Sequence, residues 1–140
     1  MTDLEATLKK WQSQLRKGAL ELCVLGLIHQ EPTYAFTMIQ ALQENSGFTI
    51  TEGALYPLLR RLQKDKQLEV FWVESDSGPP RKYYRLTDYG HKMLTAMQKE
   101  WEVFSRFVDQ TLSPGSREQT HKQTELEPLE MATVPAQKNG

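Results

Sequence analysis

Residues 51–66 read TEGALYPLLRRLQKDK. On a helical wheel Leu55, Leu58, Leu59 and Leu62 stand at i, i+3, i+4 and i+7, one apolar stripe made to face a core. Gly53, Pro57, Arg60 and Lys64 share the opposite face, with Tyr56 and Arg61 on its flanks. Small or flat residues at the start of an exposed face, followed by bases, suit close approach to a large anion. A solvated charged face is the ordinary alternative for such bases, so the neighbouring sequence has to decide between the two. Thr51 is placed to cap this helix, and Glu52 suits the positive end of its dipole. Pro57 is an awkward fit about two turns in, where it removes a backbone donor.

Working outward, Thr33 is expected to cap a preceding helix in which Ala35, Met38, Ile39 and Leu42 share a face, ending near the turn cluster Asn45-Ser46-Gly47. Phe48-Thr49-Ile50 is a short β-like link. Two helices across such a link form a helix-turn-helix, the second being the reading helix. A hairpin follows: LEVFWVE at 68–74, turn chemistry SDSGPP at 75–80, and RKYYRL at 81–86. The alternation predicts Tyr84 and Leu86 toward the core and Arg81, Tyr83 and Arg85 on the other face. The loop and its basic flanks then stand as a wing beside the reading helix.

Residues 18–29, GALELCVLGLIH, are apolar almost all round and read as a central core helix. Residues 2–15 read as a separate short amphipathic helix striped by Leu4, Leu8, Trp11 and Leu15. Thr87 or Asp88 caps a last helix running to Leu112, with Leu94, Met97, Trp101, Phe104 and Val108 stepping by 3 and 4 in a coiled-coil-like seam widened by Val103 and Phe107. A helix of about 25 residues is about 38 Å long, more than a three-helix domain needs for its own core. The surplus apolar length calls for a partner, most simply a second copy of the chain, and the stripe through Trp11 is a candidate to pack there too. Residues 113–140 have no sustained period and no aromatic residue, and they are read as a disordered tail. The expected organisation is therefore mainly α with a small β-hairpin wing: a winged helix-turn-helix over 1–86, a dimerisation helix over 87–112 and the tail.

Composition narrows the function classes. A net charge of −1 gives no global basic signal, but residues 50–92 carry eight bases against six acids, and the remaining segments are slightly acidic. Cys23 is the only cysteine, which excludes an internal disulfide framework and fits a reducing cytoplasm. Set in Leu22-Cys23-Val24-Leu25, it reads as a buried structural thiol. No apolar run approaches about 18 residues and the start of the chain lacks a signal pattern, so a cytosolic protein without membrane contact is expected. His29, His91 and His121 have no metal-ligand spacing, no Gly-rich phosphate loop is present, and no acid–base pair stands out. Neither an enzyme, a metal nor a cofactor is expected.

The order of elements and four pieces of sequence resemble the PadR family of bacterial transcriptional regulators. The pieces are LRKGALELCVLGLI at 15–28, TYAFTMIQAL at 33–42, GALYPLLRRLQKD at 53–65 and GPPRKYYRLTDYG at 78–90. The resemblance covers roughly residues 15–112. It implies a winged helix-turn-helix that dimerises through its C-terminal helix and represses nearby genes, with relief in some members by a small aromatic compound. Two positions depart from the family, which usually has glycine where this chain has Ala35 and Lys66. Lys66 would then have to take a left-handed or an altered C-cap conformation, at some cost for a residue with a Cβ.

On this reading two reading helices of a homodimer enter successive major grooves of double-stranded DNA about 34 Å apart, and the operator is an inverted repeat. Thr51, Glu52, Gly53, Tyr56 and Pro57 take the base-edge end, while Arg60, Lys64, Arg81 and Lys82 sit on phosphates. Tyr56 divides between a phosphate contact and core support, and Glu52 is better explained by the helix dipole than by reading a cytosine. Trp101 is either dimer core, the favoured reading, or the wall of an aromatic effector cavity. A winged helix used to bind another protein, without sequence-specific DNA binding, is the competing class.

Overall fold

The computed structural model describes residues 2–46 and 49–113. The expected tail from 114 to 140, and Gly47 and Phe48 of the expected turn and link, lie outside the described residues. Six elements follow in order: α1 (Asp3–Gln30), α2 (Ala35–Ser46), α3 (Glu52–Lys64), β1 (Leu68–Ser75), β2 (Gly78–Leu86) and α4 (Asp88–Leu112). The chain divides into two compact units, residues 1–98 and residues 99–140. The first unit therefore runs beyond the expected boundary at 86 and takes in the start of α4.

The first unit is built on one apolar cluster. Val24, Leu25 and Ile28 of α1, Met38 and Leu42 of α2, Leu55, Leu59 and Leu62 of α3, Leu68 of β1, and Tyr84 and Leu86 of β2 are all buried in it. Burying one such leucine contributes about 1.5–3 kcal/mol, so the stripe read from residues 51–66 fixes the inward face of α3. Leu58 packs half-buried at its edge, as do Leu94 and Met97 from the first turns of α4.

Residues 2–15 and 18–29 are one helix, not the two expected. The change from an amphipathic to an all-apolar pattern at Gly18 suggested a boundary, but a lone glycine costs a helix only about 1 kcal/mol and removes no hydrogen bond. Thr2 and Glu5 close a capping box at its start. The stripe is left uncovered by the described residues: Leu4 is 78 % and Trp11 55 % exposed. Cys23 also departs from expectation. It lies at the surface, on the wall of a groove with Gly26, Leu27, Ala41 and Leu42, and partial burial pushes its thiol pKa up, away from the reactive thiolate.

Thr33 does not cap α2. Its N–H donates to the Tyr84 carbonyl (3.3 Å) and its carbonyl accepts from the Tyr84 N–H (2.9 Å), so it forms an isolated antiparallel bridge on the outer edge of β2. The hairpin is longer than the sequence suggested. β1 and β2 pair from Leu68↔Leu86 to Val73↔Arg81, then shift register before Ser75↔Gly78. Pro79 and Pro80 fall at that shift. They have no N–H for a regular ladder, which is why a bulge is the place that accepts them. Tyr84 and Leu86 face the core as expected.

The exit of α3 meets the start of α4 at one tight joint. Gln67 N–H reaches the Leu62 carbonyl (2.9 Å) and Lys66 N–H the Gln63 carbonyl (3.0 Å), the paired bonds of a Schellman cap. Lys66 takes φ 61°, the left-handed value that a glycine would adopt freely and the first of the two conformations its departure from the family pattern left open. Thr87 caps α4, its Oγ1 accepting from Gly90 N–H at 2.9 Å and donating to the Lys66 carbonyl at 2.5 Å. Gly90 is buried there. A Cβ on it would lie 2.1 Å from the Gln67 carbonyl oxygen, so only glycine fits.

In the second unit the described part is the remainder of α4. Trp101, Val103, Phe104 and Phe107 are all exposed, Phe104 by 60 %, and Val108 is half-buried.

Candidate nucleic-acid interface

Thr51 sets the start of α3. Its Oγ1 accepts from Ala54 N–H at 3.2 Å, and its extended backbone (φ −94°, ψ 158°) turns the chain into the helix. Thr51 is thus occupied as the cap, and Glu52 is the first residue inside, where a carboxylate meets the positive dipole end. With Leu55, Leu59 and Leu62 inward, Glu52, Gly53, Tyr56, Pro57, Arg60 and Lys64 are left outward, all exposed.

Gly53 and Pro57 belong together. Pro57 has no N–H, so the Gly53 carbonyl four residues earlier lacks its helical donor, and both positions are exposed. Nothing among the described residues requires Gly53: of them a Cβ there would touch only Thr51 Oγ1, at an ordinary 3.8 Å.

Arg60 and Arg61, adjacent in sequence, have different surroundings. Arg61 donates to Glu21 of α1 at 2.9 Å and lies 3.8 Å from Asp65. The Glu21 hydrogen bond and charge raise its already high pKa. Among the described residues no ion pair involves Arg60, Lys64, Arg81 or Lys82. Arg60 does make itself felt at Tyr84, whose phenol is pushed up by burial and by Tyr56 while the Arg60 charge pulls it back. The outward face of α3 and strand β2 therefore share one electrostatic neighbourhood.

Between them lies a cleft of about 220 Å³, lined by Tyr34, Ala35 and Phe36 at the start of α2, Glu52 and Tyr56 of α3, and Arg81, Lys82 and Tyr84 of β2. The structure thus brings Glu52, Tyr56, Arg81 and Lys82 into one concavity and places Gly53, Pro57, Arg60 and Lys64 along the same helix face. Tyr34 also joins Tyr83 and Phe71 in a row of rings along the hairpin, with centroids 5.2 and 5.6 Å apart. Arg81 closes one end over Tyr34, and Arg85, bonded to Glu69 at 2.7 Å, closes the other over Phe71. Sequence reasoning missed Tyr34 and Phe36. Their place depends on the Thr33–Tyr84 bridge, a contact between residues far apart in the chain, and nothing local announces it.

Of the expected partner-facing residues, Leu94 and Met97 are half-covered by the first unit's own core, whereas Trp11, Trp101 and Phe104 are open. No group of three or more metal-ligating side chains occurs among the described residues, and no helix among them is long and apolar enough to cross a membrane.

The comparisons with known proteins agree with this geometry. The profile of the PadR-like transcriptional regulator family matches residues 24–96, more than half of the chain. A PadR-like transcription factor from Bacteroides fragilis is 46 % identical, over 71 % of this chain and 96 % of its own, with a TM-score of 0.60. A PadR-like transcriptional regulator from Bacillus cereus is 38 % identical over 71 % and 97 %, with a TM-score of 0.67. One of the PadR family from Eggerthella lenta is 33 % identical over 81 % and 95 %, also with a TM-score of 0.67. An uncharacterised protein of Lysinibacillus sphaericus is 31 % identical over 70 % of this chain and 92 % of its own. With the profile spanning the end of α1, then α2, α3, the hairpin and the start of α4, this chain belongs to the PadR-like family of transcriptional regulators, whose work is DNA-binding regulation.

Proposed function

We propose that this regulator is a dimeric, sequence-specific repressor that lays α3 in the major groove of an inverted-repeat operator. Thr51, Glu52, Gly53, Tyr56 and Pro57 take the base-edge end, and Arg60, Lys64, Arg81 and Lys82 meet backbone phosphates. The observation that carries the reading is Gly53. An exposed helix position normally favours alanine over glycine, by about 1 kcal/mol in a helix interior and less in the first turn where Gly53 stands, and nothing among the described residues demands glycine here. A demand from outside, the close approach of a bulky surface, accounts for it.

Two further features support the remaining parts. The apolar rows of α1 (Leu4, Leu8, Trp11, Leu15) and of α4 (Trp101, Phe104, Phe107) are exposed among the described residues, which suits a second copy. Trp101 is assigned to that contact. Quenching of tryptophan fluorescence by planar aromatic compounds, lost in Trp101→Ala, would assign it instead to an effector cavity.

The test is selection of duplexes from a random library by the purified protein, followed by titration of the winners with Gly53→Ala. An inverted repeat with half-sites about one helical turn apart is expected. Gly53→Ala should be as stable as the parent or more so, yet bind the selected duplex at least tenfold more weakly. No enrichment by a folded protein would favour a protein-binding module instead.

A further inference from the structure

Within that DNA-binding reading, on which the following rests, we infer that the cleft between α2, α3 and β2 holds one backbone phosphate, and that Tyr34 is the positioning residue that aims Arg81 at it. Arg81 Nη1 donates to the Tyr34 hydroxyl at 3.0 Å, and its guanidinium lies over the Tyr34 ring at 4.8 Å from the centroid. A long exposed side chain is thereby held by a hydrogen bond and a cation–π contact at once. Tyr34 is itself fixed. It follows Thr33, whose two backbone bonds tie it to β2, and its ring rests against Tyr83.

The chemistry of the cleft suits a phosphodiester. Arg81 and Lys82 supply two positive charges against the single carboxylate of Glu52, and Tyr56 adds a hydroxyl from the reading helix. Arginine's fork matches two phosphate oxygens when it is held in plane. One guanidinium nitrogen bonded to tyrosine leaves the other donors to do so. Because the cleft is walled by α3 and β2 together, a phosphate seated in it sets the height of the reading helix over the base edges. Freely mobile, Arg81 would lose its rotamer freedom on binding; held by Tyr34, it has lost that freedom already in folding.

The experiment compares the wild type, Tyr34→Phe, Arg81→Ala and the double variant on the selected duplex across a salt series. Tyr34→Phe keeps the ring and removes only the hydroxyl, and urea unfolding checks that each variant is folded. Tyr34→Phe should weaken binding roughly fivefold with an unchanged salt slope, because no charge is lost. Arg81→Ala should flatten the slope by about one phosphate contact. On the Arg81→Ala background, Tyr34→Phe should change nothing further. A Tyr34→Phe variant that binds like wild type would overturn the proposal. So would a Tyr34→Phe effect that persists in full without Arg81, since Tyr34 would then act by its own contact. A wild-type protein that binds no duplex would refute the DNA reading itself, and this cleft with it.

Discussion

Gly90→Ala should be among the most damaging single-methyl changes in the chain. The added Cβ would sit 2.1 Å from the Gln67 carbonyl oxygen and 3.1 Å from its carbon, against an ordinary separation of at least 3.4 Å. Neither side can yield by a side-chain rotation, because both are backbone. Moving apart by about 1 Å would strain the two bonds that cross the joint: Thr87 N–H to the Gln67 carbonyl and Thr87 Oγ1 to the Lys66 carbonyl. Overpacking costs about 1–3 kcal/mol, and two weakened hydrogen bonds add about 1 kcal/mol each. Alanine's better helix propensity returns about 1 kcal/mol. The net loss is about 2–4 kcal/mol, or roughly 10–20 °C in Tm for a domain of this size. Urea unfolding followed by circular dichroism reads it directly, with the midpoint falling and the m-value unchanged. Gly18→Ala is the internal control: a Cβ there meets nothing within 4 Å, so the same chemical change in α1 should stabilise by up to about 1 kcal/mol. A loss below about 1 kcal/mol at Gly90, or equal effects at both sites, would refute the reasoning.

Lys66→Gly should stabilise by about 1 kcal/mol: relief of the left-handed conformation at φ 61° is worth about 1–2 kcal/mol, less the glycine's extra freedom when unfolded. Denaturation midpoints check it, and a destabilised variant would mean that Lys66 is held by its side chain. Arg60→Ala should weaken all duplexes alike and lower the salt slope by about 1. An unchanged slope in filter binding or anisotropy would remove Arg60 from the phosphates. Burial raises the Tyr84 pKa. The fold therefore favours the neutral phenol: this contribution is fully present below the unfolded value near 10, and it is lost as pH rises through the higher folded value. Stability should fall more steeply above about pH 10 in the wild type than in Tyr84→Phe, and identical alkaline profiles would discount the effect.

Periodicity exposed those parts of the fold that a single element's own pattern determines. Leu55, Leu58, Leu59 and Leu62 gave the inward face of α3, and alternation in RKYYRL gave Tyr84 and Leu86 their direction. The chirality demanded of Lys66 was readable because a position usually held by glycine points to a backbone conformation. What stayed hidden was non-local. Thr33 has the chemistry of a cap, and only the approach of β2 makes it a bridge. Gly18 marks a change of pattern that looks like a break, yet the helical bonds run through it. The Tyr34–Arg81 pair joins residues 47 apart in sequence, and no spacing rule reaches that far. Charge patterning could nominate Arg60 and Lys64 for the outward face, but the ion pair that ties Arg61 to Glu21 needed the packing of α1 against α3 to be seen.

The register shift at Pro79 and Pro80 also bears on how the protein behaves at high concentration. A two-stranded hairpin has two raw edges, and either can template a strand from a neighbouring molecule. Near its base the outer edge of β2 is already bridged by Thr33, and toward the tip two consecutive prolines offer no donor. The edge of β1 carries Glu74, exposed near the tip, and its charge repels a like strand. Wing-to-wing strand pairing is thus disfavoured at the outer edge of β2 and near the tip of β1.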